Sequence, residues 1–205
     1  MPRQSVAIVK EGEKWGRGIL FRVKILLMNC KIRLATPSDL QNYTDLLQQT
    51  YEFSYTNPKI GLTKDLFSKE IFNTVNNQNI FRSRLVISST NKTWLIFSDQ
   101  KLVGSITCSI KNEQEAEMIG FYVHPQYQKN GIGKKLYNLL LKFAKNRDLL
   151  LDTHIHNKKT IDVYTKWGWK IDTNRGNNGY FICRWPPEQS DGLNIKCIYL
   201  RLKHN

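Results

Sequence analysis

Along the chain, apolar positions switch between a spacing of two, which marks strands, and one near 3.6, which marks helices. Lys31 to Ala35 reads as a first strand, followed by Thr36-Pro37-Ser38-Asp39. Ser38 or Asp39 can cap the helix that comes next, and Leu40, Tyr43, Leu46 and Leu47 form its apolar stripe. Asn57-Pro58 and Gly61 mark a loop, and Thr63 to Asn76 reads as a second helical region. Arg84 to Ser88, Lys92 to Ser98, Leu102 to Ile110 and Glu115 to Val123 read as strands, with Asp99-Gln100-Lys101 a short turn. A helix to about Lys145 follows, then a strand over Leu149 to Ile155 and a short helix from Thr160 to Trp167 ending at Gly168. Strands around Tyr180 to Trp185 and Ile195 to Leu202, separated by Pro186-Pro187, complete the pattern. The layout predicts an α+β fold with a mixed central sheet.

The first 27 residues do not share this regularity. Gly12, Gly16 and Gly18 interrupt them, and their six basic against two acidic residues give +4 of the chain's net +14. Met28 stands just before the first clean strand, so the expected organisation is an N-terminal extension over 1–27 (a tail or a misassigned start) and a single domain over 28–205. The 205 residues suit one domain with a sizeable core. No apolar run reaches the ~18 residues of a membrane helix. Cys30, Cys108, Cys183 and Cys197 are far apart in sequence, with no Cys-x-x-Cys pair, and read as packing residues in a reducing compartment. A cytoplasmic protein without a membrane partner is the expectation. The basic residues are scattered without a long run or aromatic interleaving, so nucleic acid is not the expected partner, and some of the charge suits an anionic cofactor.

The sharpest local feature is Gln128-Lys129-Asn130-Gly131-Ile132-Gly133, between the strand ending at Val123 and the helix from Lys134. Glycines let a backbone turn tightly, and the first amides of a helix have no partner within it. Such a turn favours phosphate. Leu136 stands where a dinucleotide fingerprint needs its third glycine, and Lys135 where a nucleotide P-loop needs Ser or Thr.

The order of motifs resembles the GNAT superfamily, the GCN5-related N-acetyltransferases that use acetyl-CoA. Ile32 to Leu40 is similar to its opening strand and helix start, Leu102-Val103-Gly104-Ser105-Ile106 to its third strand, and Glu117 to Pro125 to its fourth. Gln128 to Gly133 matches the Gln/Arg-x-x-Gly-x-Gly/Ala loop, and Asn157, Tyr164 and Trp167-Gly168-Trp169 match the segment after the fifth strand. The resemblance covers about residues 30 to 203. It implies the GNAT fold, with strands 4 and 5 splayed and helices on the flanks, and a homodimer as in many relatives.

The resemblance also implies roles. The loop Gln128, Lys129, Asn130, Gly131, Ile132, Gly133 and Lys134 would hold the CoA pyrophosphate. The pantetheine arm would run along Phe121, Tyr122 and Val123, the Phe121 amide facing the thioester oxygen, and Asn157 would steady the cofactor from the other side. A preorganised donor there is worth ~3 kcal/mol. Tyr164 is the implied general acid and Glu117 the implied base that deprotonates the amine.

The alternation of His154 and His156 on the fifth strand places them on one side, and the resemblance implies that one of them lines the acceptor pocket or assists proton transfer, because the family's fifth strand borders that pocket. No carboxylate or cysteine is spaced to complete a metal site with them, so no metal is expected. Tyr51 to Pro58 with Leu62-Thr63 is similar to the bacterial spermidine/spermine acetyltransferase branch. A polyamine acceptor would draw on Glu52, Glu117 and Asp152. Alternatives are a protein N-terminus or lysine as acceptor, a basic nucleic-acid-associated protein on the same core, and a CoA sensor without turnover.

Overall fold

A computed structural model describes residues 30–186 and 192–204. The extension over 1–27 and Pro187 lie outside the described residues. In chain order the elements are β1 (Cys30–Leu34), α1 (Leu40–Tyr55), α2 (Lys69–Phe72), α3 (Val75–Leu85), β2 (Asn91–Ser98), β3 (Lys101–Ile110), β4 (Glu115–Val123), α4 (Ile132–Ala144), β5 (Asp148–His154), α5 (Lys158–Lys166), β6 (Lys170–Ile171), β7 (Tyr180–Trp185) and β8 (Leu193–Leu202). They form one mixed sheet in the order β1-β2-β3-β4-β5-β8-β6, with β7 also paired to β8. β4 and β5 are the parallel neighbours; the other pairs are antiparallel.

Each face of the sheet has its own core. On one side Leu136, Leu140, Tyr137 and Trp169 pack over Ile96, Ile106, Leu149 and Leu151. On the other, Tyr43, Leu46 and Leu47 of α1 meet Phe81 and Leu85 of α3 over Leu95, Leu102 and Tyr122. Gly104 lets α4 lie close to β3. A Cβ there would stand 2.9 Å from Ile96 Cγ2 and 3.2 Å from Ile132 and Leu136 side-chain carbons. Among the described residues no helix is long and apolar enough to cross a membrane.

Several elements differ from their sequence reading. Asp39 does not cap α1 through its side chain. It reaches back to the Thr36 amide at 2.8 Å and takes two bonds from Arg33, at 2.6 and 2.7 Å. Arg84 and Leu85 end α3 instead of opening a strand, and 86–88 carry no strand. Phe81 and Leu85, four apart, face the core as a helical pair. The helical region from Thr63 breaks into a 3₁₀ turn over Lys64–Phe67 and the short α2. β6 has no counterpart in the sequence reading.

Two irregularities in β4 shape the site. Its pairing with β3 passes from Thr107–Gly120 to Cys108–Met118, so Ile119 is an extra residue. A bulge of this kind re-aims side chains, and Met118 and Phe121 both join the α4-side core. β4 then pairs with β5 at only three rungs, Glu115–Asp148, Ala116–Leu149 and Glu117–Leu150. Beyond them the two strands part, as the splayed-strand expectation required.

Candidate active site

The parting of β4 and β5 opens a cleft of about 320 Å³, lined from β4 by Glu117 and Met118 to Tyr122, and from β5 by Leu151 to His154. Tyr51 and Tyr55 of α1, Arg84 of α3, Asn157 before α5 and Tyr164 within α5 close its walls. Its volume lies at the small-ligand end of known binding sites.

At the mouth of the fork, Pro125–Tyr127 forms a 3₁₀ turn and the chain then enters α4 through Gly131. Gln128 donates to the Val123 carbonyl at 3.1 Å, and Asn130 to that of Gln128 at 2.8 Å. Lys129 and Gly131 take positive φ, 64° and 76°. The first amide of this stretch to find an acceptor is that of Lys135, to the Gly131 carbonyl at 3.0 Å. The amides from Lys129 to Lys134 have no acceptor among the described residues, and Gly131 offers no side-chain cap. Consecutive free amides at a helix start make an anion cradle strengthened by the helix dipole. This chemistry fits the pyrophosphate of acetyl-CoA. The Phe121 ring lies against Gly133, whose added Cβ would stand 3.2 Å from it.

Tyr164 is 6% exposed, packed edge-on against Trp167 and tilted against Trp169. Burial holds its phenol well above the ordinary range, so it stays protonated. No hydrogen bond among the described residues engages its hydroxyl, and Tyr164 lines the cleft, where a phenol can donate. Asn157 stands at the start of α5, its carbonyl accepting from Thr160 and Ile161. Tyr122 turns away from the helix-α4 face: its hydroxyl lies 3.3 Å from that of Tyr51 and within 3.4 Å of Arg84 Nη1.

Glu117 lines the cleft and is held by Lys111 Nζ at 2.7 Å. Asp152, two residues beyond the last β4–β5 rung, opens onto the same space. Its side chain is exposed to the open cleft, and its carboxyl is raised above the ordinary range, first by the desolvating protein mass around the fork and then by the Glu117 charge; Arg175 and His154 oppose the rise. Glu52 is not part of this group. It binds Lys64 at 3.6 Å in a separate open hollow that also includes His124.

The two histidines expected side by side are separated. β5 ends at His154, whose ring lies 4.5 Å from that of Tyr55, while His156 is exposed in the following turn. His154 instead meets two cysteines from the far hairpin. Cys183 Sγ is 3.8 Å from His154 Nε2 and 2.9 Å from Cys197 Sγ. The Cys197 hydrogen bond pulls the Cys183 thiol toward its thiolate, and the same bond, with burial, pushes Cys197 up. These three donors lie within 4.8 Å of one another, a soft set that a metal such as zinc accepts. Sequence spacing could not reveal it, because β7 and β8 bring the sulfurs together. Arg84 was likewise missed as a site residue, since no local motif marks it, whereas Tyr51 and Tyr55 fall within the stretch from Tyr51 to Pro58 already similar to the spermidine/spermine acetyltransferase branch.

A family model described as "Acetyltransferase (GNAT) family" matches residues 45–169. The chain is 24% identical over 157 residues to a spermidine N(1)-acetyltransferase of Thermoplasma acidophilum, covering 74% of this chain and 94% of that one. Its fold is similar to the PaiA N-acetyltransferase of the same organism in complex with coenzyme A (22% identity, 83% and 99% of the chains, TM-score 0.53). It is also similar to the ribosomal-protein-S18-alanine N-acetyltransferase of Escherichia coli (17%, 86% and 94%, TM-score 0.58).

Proposed function

Starting from a chain that belongs to the GNAT family of acetyltransferases, we propose that it moves the acetyl group of acetyl-CoA to a primary amine of a small molecule, by direct attack in a ternary complex. The observation that carries this is the junction of two features at one fork. The free amides of Lys129 to Lys134 follow the end of β4, and the residues of β4 just before them line a cleft that holds both Tyr164 and the Glu117–Asp152 pair.

Acetyl-CoA supplies an acetyl group activated as a thioester. The residues Gln128 to Lys134 bind its pyrophosphate, with Gln128 bracing the loop on Val123. Phe121, Tyr122 and Val123 offer backbone to the pantetheine arm, and Asn157 supports it from the β5 side. The amine arrives mostly protonated, since its pKa is ~10. Asp152 takes that proton, directly or through water, because a raised carboxyl is a better base than an ordinary one. Glu117, charged and tied to Lys111, supports that rise and draws the cationic amine into the fork. Tyr164 gives its proton to the departing sulfur. Its phenol is a weak acid, but the same burial raises the proton affinity of a thiolate formed beside it.

The spermidine acetyltransferase relative and the paired carboxylates support a small amine, polyamines among them. The test is release of free thiol from acetyl-CoA against polyamines, aminoglycosides, amino acids and short peptides. The Tyr164→Phe, Glu117→Gln and Asp152→Asn variants are run alongside. Turnover of one amine class, reduced in the variants, is the expected result. Tight acetyl-CoA binding without turnover of any amine would refute this reading.

A further inference from the structure

The cleft carries opposite charges in separate places. Glu117 and Asp152 stand at the fork, with His154 and Arg175 near Asp152. Arg84 lines the cleft from the end of α3, and it is the one Lys or Arg among the lining residues. Its surroundings are the hydroxyls of Tyr43, Tyr51 and Tyr122 and the ring of Phe81, 5.8 Å from Cζ. The bond from Nη1 to Tyr122 is long, at 3.4 Å. None of the ion pairs among the described residues involves Arg84.

A guanidinium stays charged and presents five donors. Enclosing it among phenols without a counter-ion is unfavourable, and one partner that would relieve it is an anion arriving with the ligand. A carboxylate matches its planar fork. A phosphate dianion would call for a second cation, and the lining offers none. We propose that the acceptor carries, besides the amine to be acetylated, a carboxylate that Arg84 holds, so that the cleft selects a small amino acid or short peptide over a polyamine. This rests on the acetyl-transfer reading above. The amine goes to the acidic fork and the carboxylate to the tyrosine-lined end. The cleft of about 320 Å³ suits a molecule of that size.

Matched pairs test this: amino acids and dipeptides, each against its decarboxylated amine, with spermidine and a phosphorylated amine as further arms. The wild-type protein is compared with Arg84→Met and Arg84→Lys, with acetyl-CoA affinity and unfolding midpoints measured in parallel. The expected result is wild-type preference for the carboxylate-bearing member. Arg84→Met then raises its KM about 10- to 100-fold, the worth of a charge-assisted bond, leaves the decarboxylated partner within about threefold, and leaves acetyl-CoA binding intact. Arg84→Lys, which keeps the charge and loses the fork, falls between. Preference for spermidine, a phosphorylated amine or the decarboxylated members would overturn the inference while leaving acetyl transfer standing. Equal loss on both members in Arg84→Met would also overturn it. If no amine turns over, titration of the amino acids into CoA-loaded protein decides. Binding lost in Arg84→Met supports the inference, and no binding overturns it.

Discussion

Arg201 on β8 ties the closed end of the fork together, and replacing it by Met gives a well-defined loss. Its guanidinium binds Glu115 of β4 at 2.8 Å, Asp148 of β5 at 2.9 Å and Asp172 after β6 at 2.9 Å. The first two carboxylates are 31% and 26% exposed, so water would replace much of what they lose, at about 0.5 kcal/mol each. Asp172 is 2% exposed, and an abandoned buried carboxylate costs about 3 kcal/mol. The sum is about 4 kcal/mol, or roughly a 10 °C fall in midpoint for a domain of this size. Urea unfolding measures it. The added change Asp172→Asn, which removes the stranded charge, should recover about 2 kcal/mol. A loss under about 1 kcal/mol for Arg201→Met, or no recovery in the double variant, would refute the view that a buried charge dominates this cluster. Because Glu115 and Asp148 are also the first β4–β5 rung, weakened acetyl-CoA binding should accompany the loss.

Tyr164→Phe should lower kcat on the order of 10²-fold, with little change in KM and an unfolding midpoint near that of the wild type, since its hydroxyl holds no other group. Below the pKa of Asp152 the base is protonated and activity falls, so the acid limb of kcat/KM should lie above the ordinary aspartate range. Glu117→Gln removes one charge that raises Asp152, so the limb should move to lower pH, with His154, Arg175 and Cys183 left facing it; a limb that stays put would argue against Asp152 as base. Gly104→Ala should cost about 1–2 kcal/mol by overpacking against Ile96, Ile132 and Leu136 and weaken acetyl-CoA binding as α4 shifts, measured by urea unfolding and calorimetry. Arg33 hydrogen bonding holds Asp39 below the ordinary carboxylate range. That stabilisation is full above the unfolded pKa of ~3.9 and lost as pH falls through the folded value. The destabilisation in Asp39→Asn should therefore be present at neutral pH and vanish in acid.

The candidate cofactor half of the site could be proposed from the sequence because its parts are neighbours in the chain. The alternation from Glu115 to Val123 and the turn at Gly131 lie within 20 residues, and each follows from local rules of strand, turn and helix start. Asn157 stands at the N-cap of α5 and Tyr164 seven residues further along that helix, so their spacing carried information as well. The acceptor half has no such continuity. Tyr51, Arg84, Tyr122 and Asp152 come from α1, α3, β4 and β5, and only the packing of those elements brings them to one wall. Arg84 was hidden further by its neighbours. Leu85, Val86 and Ile87 look like a strand, yet Leu85 answers Phe81 one helical turn earlier and closes α3. The bulge at Ile119 and the end of β5 at His154 also escape periodicity, since a bulge adds a residue without changing composition and a strand can stop inside an apolar pattern. The same reasoning explains the His154–Cys183–Cys197 group, whose two sulfurs meet because β7 and β8 pair with Phe181 opposite Cys197 and Cys183 opposite Ile195. The proposed acetyl-CoA site thus rests on a short local motif, whereas the proposed choice of amine rests on tertiary contacts. Exchanging Arg84 should therefore redirect the acceptor while leaving the cofactor half intact.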